Sequence, residues 1–242
     1  MKYKYTSLSK PGNNKKYNED SLQVVSVDDG VLCVICDGIS GGFAADQASK
    51  ICAETVVDHF TSFKEKEYLN RIEDSLIEAN KKILEQITSK KSSNAMATTA
   101  DVFFFNSHKI YWGHIGDSRI YDLKNGKLNL LTKDHSLIQQ MLDKGYLSMK
   151  AAKNHPNKNV IMKAIGENHK LEPDMSKIIL RSGDKHRFML CTDGVHDVIQ
   201  ASEIENVLKT EDLENCIDVF DTMIQKEGAP DDYSMIIIER ID

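Results

Sequence analysis

Positive charge, proline and long apolar runs are all in short supply in this sequence. Only four prolines, with 40% hydrophobic and 28% charged side chains, exclude the low-complexity and disordered classes and describe an ordinary globular chain. No run approaches the about 20 apolar residues that a membrane-crossing helix needs, and the N-terminal MKYKYTSLSKPGNN has no apolar leader core. A cytoplasmic monomer is the expectation. Thirty-one basic against 37 acidic residues leave a formal charge of −6, which argues against a nucleic-acid footprint. Cysteine is sparse and odd in number, and the one CxxC, Cys33 to Cys36, has no second pair at zinc-ligand spacing. Cys33, Cys36, Cys52, Cys191 and Cys216 are therefore read as buried, reduced thiols. At 242 residues the chain suffices for one large core, and we expect a single domain over 1–242.

What is present begins with VLCVICDGISGG at 31–42, an apolar strand that ends in Asp37 and Gly38. Asp-Gly is a hairpin turn when a second strand follows. Here Ala44, Ala48, Ile51, Cys52, Thr55, Val56 and Phe60 follow at helical spacing instead. Strands are predicted at 3–8, 22–28 and 31–36, the last two joined by Asp28-Asp29-Gly30, and a second helix at 68–89, ended by the polar KKSSN at 90–94. Runs at 99–106, 109–115, 118–123 and 127–131, broken at Asn106-Ser107 and Asn125-Gly126, read as an antiparallel meander. A patchy helical excursion from about 135 to 166 interrupts the sheet. Strands at 174–180 and 186–192, helices near 201–208 and 211–226, and a final strand SMIIIER complete the pattern. Two groups of strands and two helix pairs suggest an α/β fold of two mainly antiparallel sheets flanked by helix pairs, a four-layer α-β-β-α sandwich.

The opening pattern recurs at FMLCTDG, where a strand ends in Asp193-Gly194 before another helical segment. Asp117 in IYWGHIGDSR, Asp231 and Asp232 in GAPDDYSMIII, and NED at 18–20 also sit at strand mouths. Brought to one rim, these carboxylates would repel each other unless cations lay between them. Aspartate oxygens with a close-lying main-chain carbonyl suit hard ions such as Mg²⁺ or Mn²⁺ rather than zinc or copper. A calcium module of the EF-hand type is a poor alternative, because the carboxylates are scattered along the chain.

The ordered set NED, DGISGG, ATTA at 97–100, GHIGDSRIY at 113–121, LTKDHS at 131–136, CTDGVHD at 191–197 and DDYS at 231–234 resembles the metal-dependent serine/threonine protein phosphatases of the protein phosphatase 2C type. The compact length resembles a bacterial member. The resemblance implies the four-layer sandwich and hydrolysis of phosphoserine or phosphothreonine in proteins by a metal-activated water. It implies that Asp37 bridges two core Mg²⁺ or Mn²⁺ ions, that the Gly38 carbonyl holds one, and that Asp193 and Asp231 complete the other. Glu19 and Asp20 would contact metal-ligated water, Asp117 and Asp197 with Asp193 would form a third-ion position, and the excursion at 135–166 would be a flap beside the site. Phosphoproteins made by a serine/threonine kinase would be the substrates.

Several positions depart from the family pattern. Lys15 stands where an arginine usually clamps the phosphate, a point charge in place of a planar fork. Ile39 replaces a histidine common in animal members, which leaves the leaving-group acid unassigned, and Ser40 and Ala97 each replace a glycine. His196 is read as a packing or surface residue. In DDYS either aspartate is available, and register favours Asp231. The alternative reading, a non-catalytic regulatory or binding module on the same fold, would be favoured by loss of a core ligand, and Asp37, Gly38, Asp193 and Asp231 are all present.

Overall fold

The stretch Gly30–Cys36 is apolar at nearly every position because it is buried on both faces. Val31, Cys33 and Ile35 point into one cluster, while Leu32, Val34 and Cys36 point into another. The computed structural model describes residues 2–27, 29–39, 43–89, 96–152 and 155–241. Its elements in order are β1 (Lys2–Lys10), β2 (Ser21–Val27), β3 (Gly30–Cys36), β4 (Gly38–Ile39), α1 (Phe43–Ser62), α2 (Tyr68–Ser89), β5 (Ala97–Thr98), β6 (Ala100–Asn106), β7 (Lys109–Ile115), β8 (Arg119–Lys124), β9 (Lys127–Leu130), α3 (Leu137–Asp143), α4 (Met149–Ala152), β10 (Asp174–Ile179), β11 (His186–Cys191), α5 (Asp193–His196), α6 (Ala201–Thr210), α7 (Leu213–Lys226) and β12 (Tyr233–Ile241).

Two five-stranded sheets form, ordered β10-β7-β6-β3-β2 and β1-β12-β11-β8-β9, with antiparallel neighbours throughout. The two-residue period of a strand sends alternate side chains to opposite layers. Phe103, Phe105, Ile110, Trp112, Phe188, Leu190, Ile236 and Ile238 fill the space between the sheets. Phe104 and Val102 face α1 and α2 across the first sheet, and Met189, Met235 and Ile237 face α6 and α7 across the second. The result is the four-layer α-β-β-α order expected above. The buried Arg71 of α2 donates through Nε to the Phe60 carbonyl near the end of α1 at 2.9 Å and stacks on its ring, which joins the two helices.

The antiparallel meander read over 99–131 is not one. β6 and β7 form a hairpin in the first sheet, β8 and β9 a hairpin in the second, and the chain changes sheets at Gly116, Asp117 and Ser118. Gly116 takes φ +111°, and a Cβ there would lie 2.5 Å from the Thr99 side chain, so the corner requires glycine. Strand periodicity is the same on both sides of that corner, which is why the sequence concealed it. The Asn125-Gly126 turn is as expected, with both residues at positive φ. A short ladder of β4 with β5, Gly38 opposite Thr98, was not anticipated. The segment 135–166 carries α3 and α4 and returns to the body where Ile165 pairs with Thr98. Asp28 of the expected turn, KKSSN at 90–94, and Ser40, Gly41 and Gly42 lie outside the described residues. No helix among the described residues is long and apolar enough to cross a membrane.

Phe188 lies fully buried between the sheets, 5.0 Å from the Phe103 ring and 5.9 Å from that of Phe105. Phe188→Ala is expected to lower the unfolding free energy in urea by about 3–5 kcal/mol, the transfer loss plus an unfilled cavity. A loss under about 1 kcal/mol would mean that the inter-sheet layer is not close-packed.

Candidate active site

Register places the ends of several strands at one edge of the sandwich. Cys36 of β3 pairs with Ser21 of β2, Ala100 of β6 with Ile115 of β7, and Cys191 of β11 with Arg119 and Met235. The residues just beyond these pairs are Asp20, Asp37, Asp117, Asp193, Asp231 and Asp232. The carboxylates scattered in sequence are therefore delivered to one rim by strand register.

Backbone contacts fix each one. The Asp37 carbonyl accepts hydrogen bonds from the Thr99 N–H and the Thr98 hydroxyl, both at 2.8 Å, and the Asp37 N–H donates to Thr99 Oγ1 at 2.9 Å. This is what the two threonines of ATTA do. Gly38 donates its N–H to the Glu19 carbonyl, and a Cβ there would lie 2.5 Å from the Ala45 carbonyl oxygen, so glycine is the only residue that fits. Asp232 is buried and accepts the N–H groups of Gly12 at 2.9 Å and Glu19 at 2.7 Å, one on each oxygen. That engages both of its carboxylate oxygens structurally and leaves its half-exposed neighbour Asp231 as the aspartate facing the site. Asp20 accepts from the Thr192 hydroxyl at 2.9 Å through one oxygen, while its other oxygen and Oδ1 of Asp117 are buried without a hydrogen-bond partner.

The electrostatic consequence is severe. Burial, then the charges of Asp193, Asp20 and Asp117, raise Asp37 well above the usual carboxylate range, and Asp37 and Asp193 touch through their carboxyl groups. Burial pushes Asp20 up to about 8, with Asp193 and Asp232 adding to it against hydrogen bonds from Ser234 and Thr192. Asp117 is pushed up to about 7 by burial and Asp193, with His196 opposing. Asp193 is raised too, by burial and by Asp231 and Asp197 against His196. Asp197 moves the other way. The His196 ring, its Nδ1 3.6 Å away, holds it low against burial, and Lys158 from the excursion pairs with it at 2.7 Å.

Lys15 lies within the cluster, 2.9 Å from Asp231 and 3.0 Å from Glu19. Burial would lower its pKa, but these two hydrogen bonds outweigh that and raise it. Hard oxygen donors, two of them buried without partners, fit divalent cations such as Mg²⁺ or Mn²⁺. Among the described residues no three His, Cys, Asp or Glu side chains close on one point. Ions held here would keep much of their water, as Mg²⁺ commonly does.

A second polar group was missed in the sequence. Asp101 and His114 sit opposite each other in β6 and β7, both fully buried, with Nδ1 to Oδ1 at 2.6 Å. His114 Nε2 meets the Lys133 carbonyl at 3.1 Å, so both ring nitrogens face acceptors. Desolvation would lower its pKa, but the Asp101 carboxylate raises it. His135 packs on the His114 ring at 4.7 Å and is held down to about 4 by burial, His114 and Lys163. The available signal was Asp101 itself, a lone charge in the apolar run ADVFFF, which needed a buried partner. His196, read as packing or surface, is buried and meets the Asp117 carbonyl through Nε2 at 3.0 Å.

The sequence pattern of the family described as Protein phosphatase 2C matches residues 12–234. The chain belongs to that family. Among curated proteins, the serine/threonine phosphatase stp of Listeria welshimeri is 31% identical over 238 residues, covering 95% of this chain and 92% of that protein. Among solved structures, the serine/threonine phosphatase PstP/Ppp of Mycobacterium tuberculosis superposes with a TM-score of 0.88 at 26% identity over 99% of both chains. The catalytic domain of PstP in complex with two manganese ions gives a TM-score of 0.86, again at 26% identity over 99% of both. Protein phosphatase 2C membership accounts for the sandwich and for a carboxylate rim at one edge of it.

The raised carboxylates make a prediction about this family member. With Asp20 near 8 and Asp117 near 7, the metal-free native state keeps protons that the unfolded chain has already lost, so its stability falls as pH rises. The thermal midpoint of metal-stripped protein is expected to drop between about pH 6 and pH 8.5, and saturating Mn²⁺ should abolish most of that slope. A midpoint that climbs over this window without metal would contradict the crowding described here.

Proposed function

We propose that this chain is a protein serine/threonine phosphatase that hydrolyses phosphoserine and phosphothreonine, with Asp37, Gly38, Asp193 and Asp231 as the holders of two divalent cations. The observation that carries the reading is the contact between the carboxyl groups of Asp37 and Asp193 at a rim shared with Asp20 and Asp117. Such a cluster is tolerable only when positive charge enters it. When bound, two Mg²⁺ or Mn²⁺ ions supply a water of lowered pKa and offset the charge of the substrate phosphate. The manganese in the PstP structure supports this choice of ion.

The chain's own residues do the rest. Asp37 is held in place by Thr98 and Thr99, and Gly38 by its contact with Glu19. Glu19 and Asp20 stand beside these groups to orient water, and Asp20 is braced by Thr192. Asp117 and Asp197 form the third-ion position with Asp193, next to the excursion at 135–166, which serves as the flap. Lys15, already among carboxylates at the rim, meets the phosphate once cations have taken over its partners. Water provides the new oxygen on phosphorus, and the serine or threonine alcohol departs. The substrates are phosphoproteins made by a serine/threonine kinase, and the protein works in the cytoplasm as a monomer. The competing reading, a non-catalytic module, is disfavoured because none of the core carboxylates is replaced.

The test is hydrolysis of an aryl phosphate and a phosphothreonine peptide by metal-stripped protein with and without Mn²⁺. Activity should depend on the ion, and Asp37→Asn and Asp193→Asn should each fall below about a tenth of wild type with the circular dichroism spectrum retained, since an amide replaces a ligand charge. Metal-independent turnover, or an active Asp193→Asn, would sink the two-ion assignment.

Lys15 gives a separate measurement on the small aryl phosphate. Lys15→Ala should raise KM with little change in kcat, because it removes a contact common to ground and transition states. Lys15→Arg should equal or better wild type by offering two parallel donors. Unchanged kinetics in Lys15→Ala would remove it from phosphate binding.

A further inference from the structure

The corner Gly116-Asp117-Ser118, where the chain passes from one sheet to the other, is gripped by histidines from two directions. His135 accepts the Gly116 N–H on Nδ1 at 3.1 Å, and its own backbone N–H donates to the Gly116 carbonyl at 2.7 Å. His196 reaches the Asp117 carbonyl through Nε2 at 3.0 Å. The bond to a carbonyl makes that nitrogen the donor, and the bond from Gly116 leaves His135 Nδ1 unprotonated, so each ring acts in one defined tautomer. Behind His135 lies His114, itself locked by Asp101 on one side and the Lys133 carbonyl on the other. His135 Nε2 faces Asp174 of β10 at 3.4 Å.

We propose that His135 and His196 are positioning residues for Asp117, holding the backbone on both sides of its Cα, and that the buried Asp101–His114 pair is the anchor on which His135 rests. The argument begins with what Asp117 must do. Its carboxyl oxygen Oδ1 is buried without a hydrogen-bond partner, and the carboxylate accepts from the residue's own backbone N–H. A glycine at φ +111° precedes it and contributes no stiffness of its own. The orientation of the carboxylate is therefore set from the backbone, whose hydrogen bonds at this corner come from the two histidines, while the adjacent Ser118 hydroxyl is tied to the Thr99 hydroxyl.

The arrangement also ties two parts of the chain to that corner. His135 is the first residue of the excursion, and its carbonyl accepts the Met162 N–H at 2.7 Å near the excursion's return. His196 belongs to the short helix that starts with Asp193. A displacement of the excursion's base thus reaches Asp117 through His135, while a displacement of Asp193 reaches it through His196. This inference rests on the proposed third-ion role of Asp117, and its test separates the two.

Two measurements are made on His135→Leu, His135→Asn, His196→Leu and His196→Gln. Asparagine can still accept the Gly116 N–H, and glutamine can still donate to the Asp117 carbonyl, while leucine does neither. The first measurement is hydrogen exchange of the metal-free proteins over residues 113–119, which needs no ion. Both leucine variants should exchange faster in this segment by about 10-fold or more, and the polar variants should match wild type, as removal of a fixing hydrogen bond of about 1.4 kcal/mol requires. The second is calorimetric titration with Mn²⁺, where the leucine variants should weaken the weakest event by about 10-fold and spare the tight ones, with recovery in the polar variants. Asp117→Asn is the control. If it leaves the weakest event intact, the third-ion reading fails, and the exchange result alone decides the positioning role. Unaltered exchange at 113–119 in both leucine variants overturns the proposal, as does equal loss in leucine and polar variants, which would mark a packing effect.

Discussion

Like-charge repulsion at the rim is the constraint around which this protein is organised. Carboxylates from β2, β3, the β7–β8 corner, β11 and the mouth of β12 are held within one another's fields, most of them raised far above the ordinary carboxylate range. Without cations such crowding destabilises the fold. The apolar layers have to carry the cost, and their continuity is visible in β3 and β6, where almost every side chain is buried. Binding of divalent cations reverses the sign of the cluster from strain to attraction, so one feature links stability, ion affinity and chemistry.

The placement of those carboxylates depends on backbone rather than on side-chain packing. Asp37 is bracketed by two threonines from the strand beside it, Gly38 is fitted against two carbonyls where no Cβ is possible, and Gly194 sits where a Cβ would meet the Asp232 carbonyl. Asp232 is the least negotiable of the acidic residues, because it terminates two backbone N–H groups that would otherwise be buried without partners. The neighbouring aspartates in DDYS thus divide their work, one fixing the chain through both oxygens and the other half-exposed beside Lys15. Asp197 differs again, since Lys158 already pairs with it at 2.7 Å.

Much of this was legible in the sequence, for physical reasons that can be named. The unbroken apolar run of β3 announced burial on both faces, and an aspartate with glycine after a strand and before a helix announced a carboxylate at a strand tip. The layers followed from helical stripes alternating with strand groups. The change of sheets at Gly116 was invisible, because a hairpin obeys the same two-residue period whichever sheet it joins. The histidines around Asp117 were equally hidden, since their significance lies in contacts across 19 residues to Gly116 and 79 to Asp117. Two aspartates at one strand mouth could be separated only by seeing which one the amides of Gly12 and Glu19 had taken.

The bond from Gly12 to Asp232 spans 220 positions of sequence, and β1 pairs along its length with β12. The rim is therefore a late product of synthesis. While a ribosome is still delivering residues short of 232, the first strand has no neighbour on its inner side, Glu19 lacks the acceptor for its amide, and the loop to be closed is about as long as the chain allows. The last strand and the acidic pair before it thus close the molecule onto its first 20 residues, so the two ends of the chain are held by one another.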